Sequence, residues 1–182
     1  MQPKPGFLGF PKPANPLLGP GLIKLAEGEA LNVASIDIAL MAYNAWRDKL
    51  LVVSSLIPQN DGASLYARTS SDGGSSFDAG GSDYGYQSLG SGATSASFIE
   101  LIPSIGNGAG EGAALAIELF HTTNPAVYTK LLARNIVSSS TVTTVVSIVG
   151  ALRAAAQNTD AIRLLSSSGN IASAFWSLYG FN

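Results

Sequence analysis

From residue 22 onward, apolar residues recur in short alternations that Gly, Asn, Asp and Ser interrupt. Ile36, Ile38 and Leu40 alternate with Asp37 and Ala39, the period of two that a half-buried strand requires. Residues 49–56 form a second strand pattern, rich in Leu and Val, which ends at Pro58-Gln59-Asn60-Asp61-Gly62 with a strong Asp-Gly turn signal. Residues 64–69 place Leu65, Ala67 and Thr69 on one face. Residues 84–89, 96–102, 127–137, 162–165 and 174–181, and the alternation Leu115, Ile117, Leu119, carry the pattern on. Residues 141–149 are dense in β-branched side chains, which suit a pleated surface better than a helix. Roughly nine or ten short strands at this spacing predict an all-β domain over residues 22–182, an antiparallel β-sandwich of jelly-roll-like type. Two stretches compete: the Ala-rich residues 151–156 as helix, and residues 44–50 around Trp46 as a single turn.

Residues 1–21 read differently. They hold six of the nine prolines (Pro3, Pro5, Pro11, Pro13, Pro16 and Pro20), interleaved with Phe7, Leu8, Phe10, Leu17 and Leu18. Proline fixes φ and removes a backbone donor, so this segment can supply neither a helix nor a central strand. An extended, polyproline-like arm is expected, with a reach of about 60 Å at ~3.1 Å per residue. Floppy linkers rarely carry so many large apolar residues. Phe7, Phe10, Leu17 and Leu18 are therefore the candidate anchors of a docking arm.

Composition narrows the functional classes. Only 12% of residues are charged, and Ser, Thr, Gly and Ala take their place, a surface that suits close packing between copies. With 10 basic against 12 acidic residues and no basic stripe, nothing drives nucleic-acid binding. Cysteine is absent, which excludes disulfides and thiolate metal sites. The first residues carry no secretory-type apolar run, and no apolar run approaches the ~20 residues of a membrane span. A soluble chain without membrane association is expected.

One local motif stands out. Ser70, Asp72, Gly74, Ser76 and Phe77 resemble the Asp-box, a tight hairpin of sialidases and other β-propellers. As a single copy it predicts a turn, not a sialidase. Asp72, Asp78 and Asp83 share a Gly/Ser-rich loop, yet their spacing matches no dense calcium-ligand pattern. His121 is the only histidine and has no Gly-x-Ser-x-Gly partner motif. Glu100, Glu111 and Glu118 are the carboxylates available for sugar hydrolysis, with nothing local to pair them. Gly106, Gly108, Gly110 and Gly112 alternate through a loop without a phosphate-binding or dinucleotide fingerprint. The reading is a non-enzymatic protein with no cofactor, no metal and no catalytic residues.

Two blocks carry a family resemblance. The first runs from Asp61-Gly62-Ala63-Ser64-Leu65-Tyr66-Ala67-Arg68 through the Asp-box to Gly80, followed by Ser82-Asp83-Tyr84. The second runs from Asp160-Ala161-Ile162-Arg163 to Phe175-Trp176-Ser177-Leu178-Tyr179-Gly180. Together with the Gly106–Gly112 element they resemble tailed-bacteriophage and gene-transfer-agent virion proteins, over about residues 36–181. The resemblance implies a β-sandwich structural protein of the virion, assembled in the host cytoplasm. A head-surface spike, capsid decoration or head-fibre component is expected, anchored to capsid or tail proteins through residues 1–21. A homotrimer is the expected assembly. The alternative is a tail-associated receptor- or carbohydrate-binding module using exposed Tyr84, Tyr86 or Trp46. The second block also predicts a closing hairpin about Ser168-Gly169-Asn170.

Overall fold

The computed structural model describes residues 21–88, 91–138 and 144–181. The anchors Phe7, Phe10, Leu17 and Leu18 lie outside the described residues. Twelve strands are present among those described: β1 (Ile23–Val33), β2 (Ser35–Ala39), β3 (Asp48–Pro58), β4 (Ala63–Ser70), β5 (Tyr84–Ser88), β6 (Ser91–Ala96), β7 (Ile99–Ile105), β8 (Gly112–Phe120), β9 (Lys130–Ser138), β10 (Thr144–Arg153), β11 (Ala161–Ser166) and β12 (Ile171–Phe181). The only helical element among them is a 3₁₀ turn, Met41–Tyr43. All ladders are antiparallel. They build two sheets, one of eight strands in the order β1-β12-β3-β8-β9-β10-β5-β6 and one of four in the order β2-β11-β4-β7. The fold is an antiparallel β-sandwich.

The core lies between the sheets. Leu51 and Val53 of β3 and Leu115, Ile117 and Leu119 of β8 face Ile38 of β2, Leu65 of β4 and Ile162 of β11 across it. Each such side chain, fully buried, contributes on the order of 1.5–3 kcal/mol. The alternation read from sequence for β2, β4 and β8 is the inward face of these strands. In β3 the alternation breaks at Ser54 and Ser55, both exposed, and Ser55 has φ 52°. The register shift between Val53 and Leu56 marks a bulge, which returns Leu56 to the core.

The structure decides the local alternatives and corrects one expectation, the closing hairpin. Residues 151–156 form no helix: β10 runs on through Arg153, because Leu152, Ala151 and Gly150 pair with both β9 and β5. Residues 44–47 form the turn that follows the 3₁₀ element, and residues 48–50 begin β3. The second block is not a hairpin. β11 pairs with β2 and β4 in the small sheet, whereas β12 pairs with β1 and β3 in the large one. The turn at Gly169 (φ 69°) is thus an arch between sheets, consistent with core-facing apolar residues in both strands. Strands β1 and β6 escaped the sequence reading. β1 is an edge strand whose exposed side carries Lys24, Glu27 and Glu29, and β6 is Ser-Gly-Ala-Thr-Ser-Ala with no large apolar residue.

Candidate interaction surface

The two outer faces of the sandwich differ in chemistry. On the small sheet, Asp37, Arg163, Arg68, Tyr66 and Glu100 lie side by side across the ladders. Arg163 bonds Asp37 through Nε (2.7 Å) and Nη2 (2.6 Å), which holds the Asp37 carboxyl below its usual range and raises the guanidinium. The outer face of the large sheet adds exposed large apolar residues to its charges. Leu31 of β1, Phe175 of β12, Ile136 of β9, and Val146, Ile148 and Leu152 of β10 are all exposed there, and Val146 is 68% exposed. Val146 sits directly opposite Ile136, itself opposite Ala114 of β8. Phe120 and Phe181 meet edge to face, with ring centroids 6.4 Å apart. Charged residues interrupt it: Lys24 pairs with Glu27 on β1, Glu29 stands beside Phe175, Arg134 of β9 pairs with Glu118 of β8, and Lys130 is exposed at the start of β9.

Two grooves cross this face next to each other. The first, about 360 Å³, is lined by Gly21, Leu22, Leu50, Glu118 and Phe181. The second, about 620 Å³, lies over β9, β10, β5 and β6, where Gly85 and Gly150 leave the backbone bare between Lys130, Leu152 and Thr94. A Cβ on Gly150 would meet nothing within 4 Å. The ladders connect the two grooves, since Leu50 stands opposite Glu118, Glu118 opposite Leu132, and Leu132 opposite Gly150.

Compared with models of protein families, with curated proteins and with solved structures, the chain matches none.

The motif at Ser70 folds as a self-contained turn. Asp72 accepts bonds from Ser70 Oγ (2.6 Å), Ser76 Oγ (2.6 Å) and the Ser76 amide (2.9 Å), and Ser70 Oγ accepts the Gly74 amide (2.9 Å). These donors, Ser70 first, hold the Asp72 carboxyl far below the ordinary range. Phe77 anchors the turn under Arg163, whose guanidinium lies 4.0 Å from the ring centroid. The three loop aspartates do not converge. Asp78 pairs with Arg153, Asp83 accepts the Gly80 amide at 2.6 Å, and each is consumed separately. Among the described residues no group of three His, Cys, Asp or Glu is placed to hold a metal ion.

Arg153 is a residue that the sequence did not single out. It is almost wholly buried, with Nη1 donating to the Asn158 carbonyl (2.9 Å) and Nη2 facing Asp78. A small polar cavity of about 110 Å³, lined by Asp78, Ser82, Asp83 and Arg153 among others, adjoins it. Tyr84 is fully buried beside this pair, its hydroxyl accepting the Thr69 amide (2.7 Å) and donating to the Asp78 carbonyl (3.1 Å); burial raises its pKa. These bonds clamp the Ser70 loop of the small sheet to the β10 end of the large one. An Arg after an apolar strand was the available signal, and it reads in sequence as a solvated strand end.

The remaining candidates are dispersed. Trp46 is 8% exposed and packs on Gly180, where a Cβ would stand 2.5 Å from the indole. Neither Trp46 nor Tyr84 is therefore open to stack on a sugar, and Tyr86 is half-buried. Glu100 and Glu118 occupy opposite sheets, and Glu111 receives the Gly108 amide at 2.7 Å in the loop before β8. His121 follows β8 with φ 62°, its amide donating to Asp48 Oδ1 at 3.0 Å. Next to it, fully buried Lys49 donates from Nζ to the Trp46 carbonyl and to Thr122 Oγ1, both at 2.8 Å, and desolvation lowers its pKa to about 8.

Proposed function

We propose that this chain is a non-enzymatic structural protein of a bacteriophage virion, a head-surface spike, decoration or fibre component. The observation that carries the reading is the exposed apolar surface on the outer face of the large sheet. Ile136, Val146, Ile148 and Phe175 stand exposed there between charged residues, an apolar surface suited to cover by protein. The sequence resemblance to tailed-phage and gene-transfer-agent virion proteins gives the assembly its setting. Residues 1–21 supply the attachment to capsid or tail proteins, with Phe7, Phe10, Leu17 and Leu18 as anchors. Copies are expected in threes on the particle, through the face that bears Ile136, Val146 and Ile148.

The receptor- or carbohydrate-binding alternative loses two of its three aromatic residues to the core, Trp46 and Tyr84. The test is electron microscopy of particles produced with the wild-type chain and with the Phe7→Ser/Phe10→Ser double variant. Density for the β-sandwich in groups of three on wild-type particles, lost in the variant, supports the assignment. Normal copy number in the variant refutes attachment through the arm, and absence from wild-type particles refutes the assignment.

A further inference from the structure

Gly21 and Leu22 mark where residues 1–20 join the described domain. They precede edge strand β1, yet they line a groove with Leu50 of β3 and Glu118 of β8, strands two and three places further into the sheet. The described chain thus begins at the rim of a groove on the outer face of the large sheet. Beyond Glu118 the ladder leads to Leu132 and then to Gly150, in the second groove.

We propose that, before assembly, residues 7–18 of each chain lie across the outer face of the same chain's large sheet and cap it. Leu17 and Leu18 occupy the groove at Leu50 and Phe181, and Phe10 and Phe7 occupy the glycine-floored groove at Gly85 and Gly150. The distances fit. From β1 to β10 is five strand spacings, about 24 Å at ~4.8 Å each. The twelve residues from Phe10 to Leu22 span about 37 Å as polyproline-like chain, and the four from Leu18 reach about 12 Å. The chemistry fits as well. The arm offers four large apolar side chains without the run of backbone donors that an exposed strand would present, and the groove offers Leu152, Leu50, Phe181 and bare glycine backbone. The tether gives the chain's own arm an effective concentration in the millimolar range, above any neighbour's arm at micromolar protein.

The inference rests on the assembly reading above and deepens it. Docking of the arm on the particle removes the cap and frees the face for neighbouring copies. A subunit that has not reached the particle keeps its apolar face covered and does not self-associate.

The test uses the full chain, which has no native cysteine. A nitroxide is placed on Phe10→Cys, with a second variant labelled at Leu17→Cys, and amide signal loss is read by nuclear magnetic resonance. One sample carries spin label and isotope on the same molecules, diluted with unlabelled protein; the other mixes spin-labelled and isotope-labelled copies. The expected result is loss of more than half the signal at Gly85, Leu132, Gly150 and Leu152 for the Phe10 label, in the first sample only. Loss in the mixed sample alone shows the arm on a neighbouring copy and overturns the proposal. Signals unchanged over the whole large sheet, or lost on the small sheet, overturn it too. Particle incorporation is scored separately, so a failed virion assignment leaves these outcomes readable.

Discussion

Lys49 makes stability depend on pH in a direction opposite to that of a paired surface cation. Its ammonium is fully buried between the Trp46 carbonyl and Thr122, and desolvation lowers its pKa from 10.5 to about 8, against the smaller opposing pull of Asp48. The unfolded chain therefore holds a proton on this residue that the folded chain releases between pH 8 and 10.5. Stability must rise with pH across that window, because the unfolded state binds more protons there. At one pKa unit per ~1.4 kcal/mol, the full effect is about 3 kcal/mol, of which about 2 kcal/mol appears between pH 7.5 and 9.5. Tyr84, whose pKa burial raises above 10.0, works in the other sense only near and above pH 10, so the window is clean. Urea unfolding at pH 7.5, 8.5 and 9.5, on wild type and Lys49→Met, reads the effect as the difference between the two. Wild type should gain about 2 kcal/mol on the variant over this range. Curves that stay parallel within ~0.5 kcal/mol would show that Lys49 is not desolvated in the fold, and the buried arrangement at Thr122 would be wrong.

Arg153→Met should destabilise the domain by about 2–4 kcal/mol, since it leaves Asp78 without its ion pair at a partly exposed position; chemical denaturation measures it, and a loss below ~1 kcal/mol would remove the clamp from the account. Gly180→Ala should cost about 1–3 kcal/mol and change Trp46 fluorescence, because the added Cβ meets the indole ring; unchanged emission and midpoint would refute that packing. Val146→Asp should leave the melting temperature within the scatter of surface substitutions, about ±0.5 kcal/mol, yet lower the number of copies per particle. Full occupancy by this variant would show that the face around Val146 is not an interface.

The fold class was legible in sequence because its signal is local. Ile36-Asp37-Ile38 and Leu115-Ala116-Ile117 alternate where one face is buried, and the buried sides of β2 and β8 follow from them directly. Strand partnership was not legible. Ser168-Gly169-Asn170 turns the chain equally well within a sheet or between sheets, and only the packing of β11 on β4 decides it. The buried polar residues were hidden for a related reason. Lys49 and Arg153 read as surface charges, and their burial depends on acceptors remote in sequence: Thr122 for one, Asp78 for the other. The outer apolar face left a trace that was open to recognition. Val145-Val146-Ser147-Ile148-Val149 is apolar on both sides of the pleat, a pattern that asks for cover on both faces, and the sandwich provides only one.

The position of β12 governs the order in which the molecule is completed. It lies between β1 and β3, so Ile23 meets Gly180 and Lys49 meets Gly180 from the other side. β1 has no ladder partner other than β12 among the described strands. Contacts this remote in sequence form slowly, because loop closure precedes any gain from the pairing. As the chain is synthesised, the strand that carries the arm stays unrooted until residues 171–181 have emerged and taken their place. Truncated or half-folded chains would present an arm with no firm connection to a domain. The topology thus acts as a checkpoint in time: residues 1–20 are joined to a completed domain only in a chain that has finished folding.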